Sequence, residues 1–284
     1  MSKNALAEIS IVKEKFGFEV VYFQSDEKIV LLRQELQPQF RPYLHPIRPL
    51  DGTFVITENS PAHHPWQHGL YFGLHGVNGS DFWLDSGEKV GSFQDTQLEY
   101  LHSKNETVEW CVSTHWVHHD GTKLFKEFQN WKLVLTDNQF YLDVQFKLIA
   151  LEHITIDQCK YGGMFLRMPW RKDVDSKAIN SNGEVNNATE QKMAKWVDIT
   201  MKWPEHSTPY GFSILESPKN KGYPNYWRVD GNFGIGPSTV IKGETKINKG
   251  GELKLAYRLH IHEGYLEQAT IEQLFQSFER EIND

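Results

Sequence analysis

The chain has 284 residues, 24% of them charged and 39% hydrophobic, and a formal net charge of −7. A chain of that length buries roughly three quarters of its unfolded surface, so no disulfide framework is needed, and the acidic balance excludes a general nucleic-acid binder. No apolar run approaches the roughly 18 residues of a membrane span, so neither a membrane nor a nucleic acid is expected as partner.

In chain order, strands are expected over 9–12, 18–23 and 29–32, then over 107–117 and 123–135. Asp120-Gly121 between the last two reads as a two-residue hairpin turn. In register, that hairpin puts Trp110, Val112, Thr114 and Trp116 on one face with Phe125 and Glu127. Residues 141–150 alternate cleanly, with Leu142, Val144, Phe146 and Leu148 facing one way. Further strands are expected over 160–167, 195–200, 210–216 and 252–262, and the polar segment 171–191 reads as a long loop at a cleft edge. A single helix is expected over 271–282, with Thr270 as its cap and Ile271, Leu274, Phe275, Phe278 and Ile282 as its apolar stripe. About fifteen strands with short turns imply sheet packed on sheet. The expected fold is all-β: one large antiparallel β-sandwich domain over 1–284 with a C-terminal helix.

Two cysteines, Cys111 and Cys159, have no partner at metal-ligand spacing and read as buried free thiols. No secretory apolar segment follows Met1, so a cytoplasmic location is expected, or a periplasmic one for a processed chain.

Chemistry concentrates in RPYLHPIRPLDGTFVITENSPAHHPWQHGLYFGLHGVNGSDFW, residues 41–83. It holds five of the thirteen histidines: His45, His63, His64, His68 and His75. Imidazoles exchange protons near neutral pH, and here they stand among aromatic rings and turns. Aromatics make up 13% of the chain. Their flat apolar faces suit a sheet core, and equally a cleft that stacks on sugar C–H surfaces.

RPYLHPIRPLDG, HHPWQHGLYFGLHGVNGSDFW, GGMFLRMP, SPKNKGYPNYW and YRLHIHEG resemble, in that order from Arg41 to Gly264, the PmoA-type family of uncharacterised domains, often labelled methane oxygenase. That family is similar to the galactose-mutarotase-like supersandwich. PYLHP and WQHG follow the order of the proline turn and the His-Gly segment that bring a histidine into the mutarotase cleft. The resemblance implies a supersandwich fold and a sugar substrate. Where the family block reads His-His-Arg-Gly, this chain has Trp66-Gln67-His68-Gly69.

Glycoside hydrolysis usually needs two flanking carboxylates. The block offers Glu58 and Asp81, and Asp81 reads as a turn residue, so a hydrolase is not favoured. Proton abstraction and β-elimination on a uronic-acid-containing sugar or oligosaccharide needs a base, an acid and a cation to hold the carboxylate. In that scheme His64 or His68 is the base and His75 or Tyr43 the acid, with Tyr71 at hand. Arg41 and Arg167 hold the carboxylate, His45 and Asn220 bind hydroxyls, and Trp83 and Trp227 flank the ring. The alternative enzyme is an aldose-1-epimerase-like isomerase, which pairs a histidine with Glu127 or Glu216. A non-catalytic carbohydrate-binding module is the third reading, and the copper oxygenase implied by the family label is the least favoured. No cofactor is expected. His63, His64 and His68 lack zincin spacing, because Pro65 forbids a helix there. His260 and His262 share a strand face at a spacing able to take a divalent metal, although paired histidines on a solvent face are the plainer reading. His118 and Asp120 read as a hairpin tip.

Overall fold

The computed structural model describes residues 8–24, 27–136 and 139–283. Numbered along the chain, the first eight-stranded sheet runs in the order β1 (Glu8–Glu14), β2 (Gly17–Gln24), β3 (Glu27–Glu35), β4 (Tyr43–Ile47), β5 (Leu70–Gly73), β11 (Gly163–Arg167), β16 (Gly234–Ser238) and β15 (Tyr226–Val229). The second, also of eight strands, runs β12 (Asp175–Asn180), β13 (Trp196–Lys202), β14 (Tyr210–Glu216), β18 (Glu252–Glu263), β9 (Phe140–Ala150), β8 (Lys123–Leu135), β7 (Thr107–Val117) and β6 (Ser92–Lys104). Short β10 (Ile154–Ile156) pairs with β17 (Thr245–Ile247). Pairing is antiparallel throughout the named strands. The architecture is the expected all-β sandwich, with one C-terminal helix, α1 (Gln268–Glu281).

Alternation explains the packing. In β9, Leu142, Val144, Phe146 and Leu148 are buried, while Tyr141, Asp143 and Lys147 are half-covered and Gln145 is exposed. The inner faces of the two sheets meet at Phe72 of β5, whose ring lies 4.6 Å from Phe146 and 6.0 Å from Trp116. Such tilted, offset contacts are the favoured aromatic geometry. Between β7 and β8 the register is the expected one: Trp116 faces Phe125 and Thr114 faces Glu127. The turn is longer than expected. His118 N–H donates to the Thr122 carbonyl at 2.8 Å, which leaves His119, Asp120 and Gly121 in the loop. Gly121 adopts φ +95°, the left-handed position that closes a three-residue hairpin.

Three expectations change. The segment 171–191 is not a plain loop: it contains β12 and a 3-10 turn at Asn186–Thr189. In β12 only Ala178 and Asn180 are buried, so its polar outer positions masked the strand. The helix begins three residues earlier than expected, with Glu267 as its cap and Thr270 already inside the first turn. Its apolar stripe does pack on the sheet, burying Ile271, Phe275 and Phe278 against Trp196 and Leu215. Arg258 of β18 ties that helix down by bonding both Asp143 (2.6 and 2.8 Å) and Glu281 (3.0 and 2.7 Å). Finally, Glu127 is no cleft residue. It is fully buried between the sheets, accepting from the Trp116 indole at 2.7 Å and from Gln129 at 3.0 Å.

No described helix is long and apolar enough to cross a membrane.

Candidate active site

The strands at the centre of the first sheet carry two different faces. Leu44, Leu70, Phe72, Met164 and Leu166 point into the main core. Tyr43, Tyr71 and Phe165 form a separate aromatic cluster with Trp83, joined by Phe40, Trp66, Leu84 and Tyr161. Tyr43 lies opposite Tyr71, and Tyr71 opposite Phe165, so the period-2 pleat puts these rings on the face turned away from the second sheet.

Two loops cover that face. One, before β5, carries Asn59, His63, His64, Trp66, Gln67 and His68. The other, after β5, carries His75, Asp81, Trp83 and Asp85. The second is shaped by a tight turn: Asn78 (φ +50°) and Gly79 (φ +86°) close a pair of hydrogen bonds between Val77 and Ser80. Asp81 then accepts from the Trp83 and Leu84 N–H groups through Oδ1, at 2.6 and 2.9 Å, and from His75 Nδ1 through Oδ2 at 2.5 Å. Asp81 is therefore the expected turn residue and also a histidine's carboxylate partner.

Between the loops lies a cleft of about 160 Å³ lined by His64, Trp66, Trp83, Tyr161, Phe165 and Arg228, among others. Trp83 is its floor, 4.7 Å from the Tyr161 ring and 5.0 Å from Phe165. His64 is in its wall. Its Nδ1 is enclosed without a hydrogen-bond partner, and burial, followed by the nearby Arg167 charge, lowers its pKa. His75 is not part of the lining but packs beside it, half exposed, with its ring 6.1 Å from Tyr161. Tyr161 is pushed up to about 12, chiefly by burial and then by Cys159, so its phenol stays a hydrogen-bond donor.

The remaining expected site residues lie behind or away from this cleft. His68 is buried with both ring nitrogens engaged, Nδ1 with Asn59 Oδ1 at 2.6 Å and Nε2 with Asp85 Oδ2 at 2.7 Å. Tyr43 packs 5.3 Å from the His68 ring, and burial, aided by Glu35, raises it to about 12. His45 bonds Thr57 at 2.9 Å and is driven down to about 4, mainly by burial and then by Arg48.

Neither arginine is free to clamp a carboxylate. Arg167 is fully buried and donates to Gln67 Oε1 (2.6 Å), the Asn232 carbonyl (2.8 Å) and Asp230 Oδ2 (2.9 Å). Burial pushes Asp230 up, but Arg167 and the Gly234 N–H outweigh it and hold the carboxyl below its usual range. Arg41 is 2% exposed: its Nη2 donates to the Trp83 and Leu84 carbonyls and to Asp85, while Nε and Nη1 are enclosed without a partner. Gln67 is thus a neutral partner for a buried guanidinium. A second cation there would be repelled by Arg167.

Two expected sugar contacts belong to the interior instead. Trp227 is wholly buried in the main core, its indole donating to the Ala194 carbonyl at 2.8 Å, so neither ring face is open to a ligand. Asn220 clips its loop to β18, accepting from Ala256 N–H at 2.7 Å and donating to its carbonyl at 3.0 Å. Glu216 is likewise enclosed, held by Asn225 and Asn220. His260 and His262 are not on a solvent face. Both are buried on the side of the second sheet that α1 covers, where His262 bonds Asp198 at 2.8 Å. No cluster of three or more metal-ligating side chains occurs among the described residues.

Residues missed in the sequence include Tyr161, Asp85, Asp230 and Arg228. Asp85 lies two residues beyond the histidine block. Asp230-Gly231 carries an ordinary turn signal, and nothing local marks its role toward Arg167.

A search of curated proteins finds no sequence match to this chain. Among solved structures it is similar to a galactose mutarotase-like protein from Lactobacillus casei ATCC 334, at 9% identity and TM-score 0.40 over 90% of this chain and 100% of that one. It is similar to a putative aldose 1-epimerase from Escherichia coli K12, at 9% identity and TM-score 0.39 over 90% and 99% of the two chains. An α-galactosidase from Lactobacillus brevis overlaps at 10% identity and TM-score 0.33, over 95% of this chain and 41% of that one. The PmoA-type label finds no support in these comparisons. The model of DUF6807, a family of unknown function, matches residues 21–276, and the chain belongs to that family.

Proposed function

We propose that the protein is a sugar isomerase of the aldose-1-epimerase type, equilibrating the anomers of a small sugar in the cleft on the outer face of the first sheet. One observation carries the reading: His64 is in the wall of an aromatic-lined cleft, and a second imidazole, His75, held by Asp81, packs 6.1 Å from Tyr161 of the same wall. Anomer exchange needs a base for the anomeric hydroxyl and an acid for the ring oxygen. His64, depressed by burial, is neutral at pH 7 and takes the hydroxyl proton. His75, oriented by Asp81, hands a proton to the ring oxygen as the C1–O5 bond opens. The aldehyde rotates, and the steps run backward to close the other anomer. Trp66 and Tyr161, the partly exposed rings of the lining, stack on the sugar. The cleft's 160 Å³ falls below the roughly 300–1,000 Å³ of sites for drug-sized ligands, which favours one sugar ring over an oligosaccharide.

Elimination from a uronate lacks what it needs. Its carboxylate clamp would be Arg41 and Arg167; Arg167 directs its donors at protein oxygens, and Arg41, 2% exposed, is not in the cleft wall. Polarimetry on freshly dissolved aldoses tests the isomerase. The wild-type chain should speed the approach to equilibrium, and His64→Ala and His75→Ala should each lose about 10²–10⁴ of that rate. Calorimetric binding of a sugar with no acceleration for any aldose would replace the isomerase by a binding module. A rise in ultraviolet absorbance on uronate oligosaccharides would restore the lyase.

A further inference from the structure

A second pocket, of about 150 Å³, opens two residues along β15 from Arg228. Lys221, Asn225, Tyr226, Ser238, Thr239 and Lys242 contribute to its wall, and no carboxylate does. That is notable in a chain with seven more acids than bases. Lys242 Nζ sits 4.8 Å over the Tyr226 ring, which holds the amine at the opening. Tyr226 and Ser238 are register partners on β15 and β16, so their side chains rise from one face beside each other. Ser238 is 2% exposed, and its hydroxyl is enclosed with no hydrogen-bond partner.

The donor set points to the ligand. Ammonium groups only donate, and a hydroxyl donates or accepts. Neither lysine forms an ion pair among the described residues, and a buried hydroxyl without a partner is costly. A group able to satisfy all of them must be negatively charged and rich in acceptors. We propose that this pocket binds a small oxyanion of the phosphate type, with Lys221 and Lys242 neutralising it and the Ser238 and Thr239 hydroxyls donating to its oxygens. The neighbouring cleft also has cations in its wall, Lys160 and Arg228, but there Arg228 is paired with Glu190 and the Asp230 carboxylate joins the lining. The oxyanion therefore belongs here rather than there.

Phosphate chemistry reaches such a pocket from two sources, the free ion or the phosphoryl group of a sugar phosphate. Titration calorimetry on the full chain separates them, using inorganic phosphate, glucose 6-phosphate and unphosphorylated glucose. We expect inorganic phosphate to bind at about 1 mM or tighter and more weakly as salt rises. Lys242→Ala and Ser238→Ala should each weaken binding about tenfold. Lys242 is exposed and Ser238→Ala is a near-isosteric change, so circular dichroism should find both variants folded. Binding of glucose 6-phosphate alone, lost in the same variants, would support the pocket and identify the ester as its source. No binding of either phosphate, or binding that both variants retain, overturns the proposal. Neither result bears on anomer exchange at His64 and His75, which polarimetry reads separately.

Discussion

His75 and His64 differ in what holds them, and the difference sets what each can do. Asp81 accepts from His75 Nδ1, which orients the ring and leaves Nε2 as the nitrogen that carries the proton His75 transfers. His75→Ala should therefore cost rate with little stability, because the ring is half exposed. A kcat loss with an unchanged thermal midpoint is the expected pair of readings. His64 makes a pH prediction. Its pKa lies below the ordinary 6.5, so it stays deprotonated through neutral pH and loses its basic form only as pH falls through the depressed value. The acid limb of the rate profile should then sit below that of a free imidazole, and His64→Ala should abolish it. A limb at or above 6.5 in the wild-type chain would contradict the assignment of His64 as base. The histidine-rich block was legible at this scale, because imidazoles in number are unusual in a core. Their sorting was not. His68 lies in the same block as His64, yet Asn59 and Asp85 occupy both its nitrogens, and neither bond follows from spacing.

Of the strands that carry the site, β11 was expected, within 160–167, and patterning conceals the others. β5, β11 and β16 are buried at every position, and β4 at most of its own. With both faces covered, one by the second sheet and one by the loops that bear Trp66 and Trp83, they show no polar alternation. β9, with one solvated face, was readable outright. Room for the site depends on a position with no side chain. A Cβ on Gly234 would lie 2.3 Å from Arg167 Nη2 and 2.5 Å from the tip of Phe165. Gly234→Ala should displace the guanidinium from Asp230 and destabilise the fold by roughly 1–3 kcal/mol. Chemical denaturation would show it as a lower midpoint at unchanged slope. Arg167→Met should cost more, about 3–5 kcal/mol, because it leaves Asp230 charged and buried without its partner. Arg167→Met with Asp230→Asn should recover part of that loss if the pair is structural.

The interior between the sheets makes the whole molecule pH-sensitive. Glu127 is raised from 4.5 to about 7, by burial against the weaker opposing effect of the Trp116 and Gln129 hydrogen bonds. A carboxyl raised in the folded state is fully tolerated below its unfolded pKa, and stability is lost as pH rises through the folded value. Stability should decline between about pH 4.5 and 7 by about 3 kcal/mol, an order-of-magnitude figure for a shift of this size. Glu127→Gln should flatten that slope, as urea titrations at several pH values would read. An unchanged slope in the variant would assign the decline to other groups.

By itself the sequence determined the class of fold, the β7–β8 register, the α1 stripe and the region where proton-exchanging groups gather. Each of these is a local matter, fixed by period, turn chemistry or residue type within one short window. Tertiary structure alone decided which side chains remain open. Arg167 meets Asp230 and Gln67 across 63 and 100 residues of chain, and Trp227 disappears into the core. A hydrogen bond between distant segments leaves no spacing to read, and a buried ring has the same letter as an exposed one.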